Sequence, residues 1–491
     1  MEMIFMDFRT GLEMAKLVRN GNVSSRELIL DAYQRIAAQN KNLNAVVTLR
    51  KEKAIFESDH LTDTGQPFYG VPLLIKGLGQ SLAGEPSTAG SVLLKDQIAA
   101  QTNFFVQALQ RAGFIIIGQT NVPEFGFKNI TDSELYGNAH NPWNLDYQPG
   151  GSSGGAAASV AAGFVPIAAG SDGGGSIRIP ASFSGLIGLK PTRGRVPVGP
   201  ADWRSWQGAA IDFGLTRDMD DTAALLDSLQ TLQSAAVFQV PPYQPGFLQT
   251  IDEPLPKLKI AISVESPVGT PVSEEAKKAV HEVADVLEKL GHEVVNATPT
   301  LNGIELMETY YAMNAGETNA MFDDLKVAFG REIQQSEVEP LTWALGETGK
   351  HITAAQYSEA LGKWDHAGYV MDQFLNDYDF LLTPTTAWPA PKVGDPLISP
   401  ENQQKLTQIS QFSPKAQQQL IYDQWLPALT RSPFTQQANL TGQPAISLPT
   451  HVTDEGLPLG VQFLAKKGNE SGLLKIGKLL ENEGIFKLKS M

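Results

Sequence analysis

Short apolar runs alternate with amphipathic helical patterns along the chain. Val71–Ile75 and Phe114–Gly118 are apolar runs next to glycines, which predicts buried strands, and Phe104–Ala112 has the spacing of a helix. Leu258–Val264 predicts a further strand, and Ser273 begins a helix whose apolar residues fall on one stripe. This alternation of strands and helices predicts an α/β fold.

The rest of the chain extends this pattern. Residues 7–60 predict helices, one of them beginning at the capping box of Ser24 and Glu27. Residues 300–430 are polar, aromatic and helical in spacing, and predict an elaboration on the sheet. There is no internal repeat and no long linker, so we expect one large domain. Two late apolar runs, Phe380–Thr383 and Ala445–Leu448, are each stopped by a proline, and Gly460–Phe463 predicts another strand.

The composition is globular and excludes several kinds of chemistry. The 491 residues carry 38 basic and 53 acidic side chains, a net charge of −15, and no basic tract, which argues against binding nucleic acid or an anionic membrane. The chain has no cysteine, so disulfides, thiolate catalysis and iron–sulfur clusters are excluded. The seven histidines are scattered, so no metal site is expected. No apolar run has the length of a leader or a membrane span, and we expect a cytoplasmic protein.

Glycine is concentrated in residues 150–199, which hold 13 of the 45 glycines. The first cluster, 149–155, has three interpretations. It could be a flexible Gly/Ser linker, although a helix of small residues follows at once. It could be a nucleophile elbow of the form Gly-x-Ser-x-Gly around Ser152 or Ser153, although residues 141–149 before it do not resemble a strand. The third interpretation combines it with a second cluster, residues 170–180.

The second cluster can form a nest of backbone N–H groups. Three successive glycines at 173–175 can point their N–H groups into one concavity. Ser176 at the end of the nest could attack a carbonyl, and the N–H groups of residues 173–176 would bind the oxyanion. A phosphate-binding loop is the competing hypothesis, but neither phosphate-loop motif occurs here. Asp172 and Arg178 bracket the loop, and we expect a structural salt bridge between them.

A serine nucleophile needs a base, and histidine is the common one. His140 is the only histidine near these loops, and its place in a turn before Asn141 favours a surface or packing role. Lys76 is the other candidate, because it ends an apolar strand and is followed by Gly77. Burial there would lower its pKa from about 10.4 towards neutrality, and a neutral lysine can accept a proton.

Three segments together resemble the signature of the amidase signature family: Gly150–Gly155, Gly170–Ala181 and Gly185–Thr192. The resemblance is long and specific and extends over nearly the whole chain, and Gly70–Lys76 resembles the lysine strand of the family. It implies an α/β fold with a large mixed, mainly parallel twisted sheet covered by helices on both faces.

The resemblance also implies a Ser–Ser–Lys triad. Ser176 would be the nucleophile, Lys76 the base and Ser152 the bridge between them, held by a cis peptide. Ser153 would support the loop by hydrogen bonds. The N–H groups expected to bind the oxyanion are those of Gly173, Gly174, Gly175 and Ser176. The reaction would proceed through an acyl-enzyme and would need no metal or organic cofactor.

Two positions depart from the family pattern. Gly77 follows the lysine where the family usually has aspartate, which could shift the pKa of Lys76 or loosen the turn. Gly173 stands in the oxyanion loop where many members have a larger apolar residue.

The resemblance narrows the substrate to an amide. The continuation Arg193–Pro200, with Gln443–Pro449, resembles bacterial hydrolases similar to 6-aminohexanoate cyclic-dimer hydrolase. The A subunit of a tRNA-dependent amidotransferase is the alternative, although the stretch typical of it after Thr192 is not evident. Trp203, Trp206 and the aromatic residues of 300–430 either wall the pocket or pack in the core. We expect a small-molecule amide substrate, and a homodimer stays open as the assembly.

The predicted organisation is a single amidase domain over residues 1–491. Residues 7–60 would form its N-terminal helices and residues 70–200 its catalytic core. Residues 300–430 would be a helical elaboration near the substrate pocket.

Overall fold

The computed structural model describes residues 10–490. Residues 7–9 of the predicted N-terminal helices, and both ends of the predicted 1–491 domain, lie outside the described residues. The strands are β1 (Val46–Leu49), β2 (Pro72–Lys76), β3 (Ile115–Thr120), β4 (Asp132–Ser133), β5 (Gly137–Asn138), β6 (Ala168–Asp172), β7 (Ile187–Lys190), β8 (Ile211–Thr216), β9 (Lys259–Ile262), β10 (Glu293–Asn296), β11 (Phe380–Pro384), β12 (Ala445–Val452) and β13 (Pro458–Leu464).

Helices connect most of these strands. They are α1 (Gly11–Arg19), α2 (Ser25–Leu43), α3 (Lys51–Asp59), α4 (Phe104–Arg111), α5 (Gly154–Ala161), α6 (Arg178–Ser184), α7 (Met219–Leu229), α8 (Phe247–Thr250), α9 (Glu274–Lys289), α10 (Gly303–Phe329), α11 (Pro340–Gly349), α12 (Ala354–Asp377), α13 (Pro400–Leu406), α14 (Pro414–Arg431), α15 (Gln436–Thr441) and α16 (Glu470–Asn482). Among the described residues, no helix combines the length and the apolar character that crossing a membrane requires.

One large mixed sheet organises the molecule. Its strand order is β1-β3-β2-β6-β8-β7-β12-β13-β11-β9-β10. Parallel pairing joins β2 to β3 and β6, and β9 to β10 and β11. The remaining neighbours in this sheet are antiparallel. The predicted α/β class with a large mixed sheet is therefore confirmed.

The central strands are covered on both faces. Every residue of β2, β3, β7 and β13 is buried, and successive residues of a strand point to opposite faces of a sheet. Apolar side chains from α2, α5, α7, α9 and α16 join these strands in the main core. A sheet buried on both faces holds the residues at its strand ends rigidly, which is what a site built on those ends requires.

Two expectations about elements are corrected in detail. The predicted N-terminal helices are present as α1, α2 and α3, but β1 lies between α2 and α3, an edge strand of four residues that is too short to give a sequence signal. Pro449 does not stop the late strand, because β12 continues to Val452 across an irregularity between Leu448 and His451. A bulge is one of the places where a sheet tolerates proline.

The segment 300–430 supplies most of a second apolar cluster. Tyr310 and Tyr311 of α10, Trp364 of α12 and Trp425 of α14 are buried there. The predicted helical elaboration is present as α10 to α14, with β11 inserted in it.

Candidate active site

Lys76 is the last residue of β2 and is only 1% exposed. Its backbone N–H donates to Gln80 Oε1 at 2.7 Å, which fixes the end of the strand. Its Nζ donates to Ser152 Oγ and to Ser171 Oγ, both at 2.8 Å. An apolar strand thus carries one amine into contact with two hydroxyls.

Burial lowers the pKa of Lys76 to about 7. The negative charges of Asp212 and Asp172 oppose this shift but do not cancel it, and no carboxylate of the described residues forms an ion pair with the amine. Near neutral pH the amine is therefore shared between its protonated and neutral forms, so it can both accept and return a proton.

Ser152 lies in a loop that is packed on all sides. Residues 148–155 are all buried, so the interpretation of this cluster as a flexible linker is wrong. The Gly151–Ser152 peptide is cis. A side chain at Gly151 would overlap the backbone of Ile130, which explains why glycine is needed here. No strand of the described residues leads directly into Ser152, so the loop does not have the geometry of a nucleophile elbow.

Ser153 fastens this loop to the end of β6. Its Oγ accepts from the N–H of Ser171 and donates to the carbonyl of Ser171, both at 3.3 Å. Ser153 itself is fully buried. The two glycine-rich segments are thereby held side by side, with Ser171 between Ser153 and Lys76.

Asp172 and Arg178 form a fully buried ion pair. Arg178 donates to the carboxylate through Nε at 3.0 Å and Nη2 at 2.8 Å. Burial alone would raise the pKa of Asp172, but the charge and hydrogen bonds of Arg178 hold it well below its usual range. Arg178 also donates to Asn439 Oδ1 at 2.7 Å and to Gln462 Oε1 at 2.6 Å, so the loop is anchored to the C-terminal part of the sheet.

The loop of residues 173–176 presents three backbone N–H groups that are available to a ligand. Those of Gly173, Gly174 and Ser176 have no acceptor among the described residues. Gly175 differs from the expectation, because its N–H donates to Asp172 Oδ1 at 2.8 Å and is not free for an oxyanion. Its φ of +121° turns the chain there, in the region that favours glycine.

Ser176 follows the nest at the junction of two cavities. Gly126, Ser176 and Trp206 line both of them. The larger cavity, about 310 Å³, also contains Ser152 in its wall. Among residues 10–490, Ser176 Oγ has no hydrogen-bond partner, so the Lys76–Ser152 link of the expected relay is present and a Ser152–Ser176 hydrogen bond is not.

Three polar residues of the site were missed in the sequence. Ser171 contacts Lys76, and Gln80 Nε2 donates to Gly170 O at 2.9 Å and to Asp212 Oδ1 at 3.0 Å. Burial raises the pKa of Asp212 to about 6. Ser171 lies inside the second glycine cluster, and its position before Asp172 was the available signal. Asp212 is a single carboxylate on β8 with no motif around it.

Gly77 accommodates a close approach of two strands. Its N–H donates to Thr120 O at 3.1 Å, and a Cβ at this position would lie 2.8 Å from the same oxygen. The aspartate that the family resemblance implied for this position would therefore need the backbone to shift. His140, the rejected base, hydrogen-bonds to Leu145 O in its turn.

The fold and the sequence place the chain in a known family of enzymes. The family model described as Amidase matches residues 27–474, and the chain belongs to this family. It is therefore a hydrolase of carbon–nitrogen bonds other than peptide bonds, as its resemblance to the amidase signature family implied.

Two named proteins and one solved structure are similar to the chain over nearly its whole length. The chain is 50% identical to a lipoamidase of Enterococcus faecalis over 473 residues, which are 96% of this chain and 63% of that protein. It is 33% identical to the 6-aminohexanoate-cyclic-dimer hydrolase of Paenarthrobacter ureafaciens, over 95% of this chain and 93% of that one. The structure of 6-aminohexanoate cyclic dimer hydrolase complexed with substrate superposes with a TM-score of 0.88 at 31% identity, covering 97% of each chain.

Proposed function

We propose that the chain hydrolyses amides through an acyl-enzyme on Ser176, with Ser152 passing protons between Ser176 and Lys76. The observation that carries this proposal is the Lys76 amine, which is buried, has a pKa of about 7 and lies 2.8 Å from Ser152 Oγ. A serine hydroxyl is a weak nucleophile and needs a base. The neutral amine would supply that base once substrate binding brings Ser176 Oγ within hydrogen-bond distance of Ser152.

The reaction proceeds in two halves. Ser176 Oγ attacks the amide carbon while its proton passes through Ser152 to Lys76. The relay returns that proton to the leaving nitrogen, the C–N bond breaks, and the acyl group remains as an ester on Ser176. Water then attacks the ester with the same relay as base, and the acid leaves with regeneration of the serine. The N–H groups of Gly173, Gly174 and Ser176 bind the oxyanion in both halves.

We further propose that the substrate is an amide of an extended apolar acid, of which a lipoyl amide is the leading candidate. Support comes from the lipoamidase relative at 50% identity. It also comes from the smaller cavity at Ser176, whose wall includes Phe127, Tyr310, Tyr311 and Trp425. Aromatic rings make favourable contacts with apolar chains and with divalent sulfur, both of which a lipoyl group presents.

A serine-directed probe tests the catalytic proposal. Intact-mass analysis after treatment with a fluorophosphonate should show one adduct on the native chain and none on Ser176→Ala, Lys76→Ala or Ser152→Ala. Ser159→Ala is the matched control, because Ser159 is a buried serine on α5 whose hydroxyl donates to Gly155 O of the same helix at 2.7 Å. Full labelling of Ser176→Ala, or undiminished hydrolysis by Ser152→Ala, would overturn the proposed roles.

Product analysis tests the substrate. Release of lipoic acid from Nε-lipoyl-lysine should exceed release of acid from acetyl-lysine by at least about tenfold in kcat/KM, the order expected of a fitted apolar pocket. Equal rates for the two substrates would refute the lipoyl assignment and leave the serine mechanism standing.

A further inference from the structure

We propose that Trp206 is a specificity-determining residue that divides the site into an acyl compartment and an amine compartment, and that Gly173 provides the space its indole occupies. The inference rests on the proposed function, since it assigns the two halves of the amide to the two cavities at Ser176.

The two cavities differ in size and in the groups that line them near Ser176. The narrow one, about 70 Å³, has Gly174 and the rings of Tyr310, Tyr311 and Trp425 in its wall. The wide one, about 310 Å³, has Gly173 and the polar side chains of Ser152, Ser171 and Asp212 in its wall. The wall of the narrow cavity also includes Lys128, and that of the wide cavity also includes Phe105, so polarity alone does not assign the two halves of the amide. The rings of the narrow cavity offer contacts to an acyl chain, and the greater volume of the wide cavity leaves room for a larger amine.

The proton relay fixes which half of the amide enters which cavity. The leaving nitrogen must receive its proton from Ser152, and Ser152 lines only the wide cavity. The amine half therefore lies in the wide cavity and the acyl half in the narrow one. Gly173 and Gly174, two of the free N–H donors, lie on opposite sides of the division, so the carbonyl oxygen sits at the boundary.

Trp206 forms that boundary and is held there by its neighbours. Its ring stacks on Phe127 with centroids 6.0 Å apart and planes 5° apart, and meets Tyr310 edge to face at 6.0 Å. Both Trp206 and Gln207 have positive φ, +46° and +55°. Gln207 Nε2 donates to Glu317 Oε1 at 2.8 Å, which secures the turn to α10. Two successive non-glycine residues with left-handed backbone mark a conformation imposed by its surroundings.

Gly173 and the indole are complementary in shape. A Cβ at Gly173 would lie 2.7 Å from Trp206 Cε3 and 2.8 Å from Cζ3. Any larger residue at 173 would displace the indole. The hydroxyl of Tyr310 donates to Gly173 O at 2.9 Å and closes the same corner. The absence of a side chain at Gly173 is thus what admits a tryptophan next to the proposed oxyanion site.

Two substrate series test the division in the full chain. One varies the acid at constant amine, as butanoyl, hexanoyl and octanoyl 4-nitroanilides. The other varies the amine at constant octanoyl acid, as ammonia, ethylamine and lysine amides. Trp206→Ala should reduce the octanoyl-to-butanoyl ratio of kcat/KM by roughly tenfold, the effect of a few methylene contacts, and should keep the ranking of the amines. Trp206→Phe, which retains a ring, should fall between.

Variants of the neighbouring positions complete the test. Gly173→Ala alone should lose at least roughly tenfold in kcat/KM, and adding Trp206→Ala should restore the activity to that of Trp206→Ala. Trp203→Ala is the matched control, because this tryptophan of the same loop packs on Phe104 and lines neither cavity. It should leave both series unchanged.

The outcomes separate this inference from the function on which it rests. The division is overturned if Trp206→Ala changes the ranking of the amines but not the octanoyl-to-butanoyl ratio, or if Gly173→Ala is fully active. In either case the proposed function still stands as long as Ser176 takes up the fluorophosphonate. Absence of that label on the native chain overturns the proposed function, and the assignment of the compartments is then overturned with it. Thermal unfolding of each variant identifies any that is misfolded, and Trp206→Phe then decides in its place.

Discussion

Replacement of Lys76 by methionine should change how the stability of the protein depends on pH. The amine has a pKa of about 7 in the folded chain and about 10.4 when the chain is unfolded. Between these values the unfolded chain binds more protons at this lysine than the folded one, so its contribution to the free energy of unfolding rises with pH. Below about pH 7 the lysine is protonated in both the folded and the unfolded chain, so its contribution to the free energy of unfolding no longer changes with pH.

The size of the effect follows from the two pKa values. Between pH 7.5 and 9.5 the native protein should gain roughly 2 to 3 kcal/mol of stability relative to Lys76→Met. The hydrogen bonds to Ser152 and Ser171 that the variant loses contribute equally at both pH values and cancel. So does Lys190, a second buried lysine that both proteins retain.

Urea unfolding at the two pH values, followed by tryptophan fluorescence, measures this difference. Lys415→Met is the control, because Lys415 is exposed and its replacement should not alter the pH dependence. A difference between native protein and Lys76→Met that is the same at pH 7.5 and 9.5 would show that the amine is not buried in its neutral form. The proposed role of Lys76 as a base would then lose its physical support.

Three further predictions concern residues in and around the candidate active site. The acid limb of the pH–rate profile of kcat/KM should have an apparent pKa of about 7, that of Lys76. Asp212→Asn should move this limb to lower pH, because the protonated form of Lys76 loses a stabilising negative charge. An acid limb at the same pH in the variant would contradict the prediction. Arg178→Ala should lower the free energy of unfolding by about 3–5 kcal/mol in urea titrations, since it leaves the Asp172 carboxylate buried and unpaired; a loss below 1 kcal/mol would refute it. Gly77→Ala should lower the thermal midpoint of unfolding, because its Cβ would lie 2.8 Å from Thr120 O. Gly362→Ala is the control and should not lower the midpoint, since no atom lies within 4 Å of its Cβ position. Equal midpoints for the two variants would refute the close approach at residue 77.

The parts of this structure that depend on local sequence pattern could be predicted from the sequence. The run ending at Lys76 is a buried strand because five apolar residues in succession require cover on both faces. The α9 helix begins after Ser273 as predicted, since the serine side chain accepts from Ala276 N–H. The site residues of the family pattern could be named because they lie within contiguous motifs.

What the sequence did not reveal depends on contacts between distant segments. Asp212 comes within reach of Gln80 and Lys76 only because β8 pairs with β6 and β6 with β2. The Gly175 N–H was expected to be free, and only the folded loop shows that Asp172 takes it. Trp206 had the same signal as Trp203, and their different environments arise from a turn with an unusual backbone.

The links from Arg178 to Asn439 and Gln462 also bear on how the enzyme is made. A ribosome delivers Ser176 long before it delivers either amide, and until both have emerged the guanidinium lacks two of its partners. A nascent or prematurely terminated chain therefore carries Ser176 on a loop without these two hydrogen bonds. We expect the loop to reach its final geometry only late in synthesis, once residues 439 and 462 are both available to Arg178.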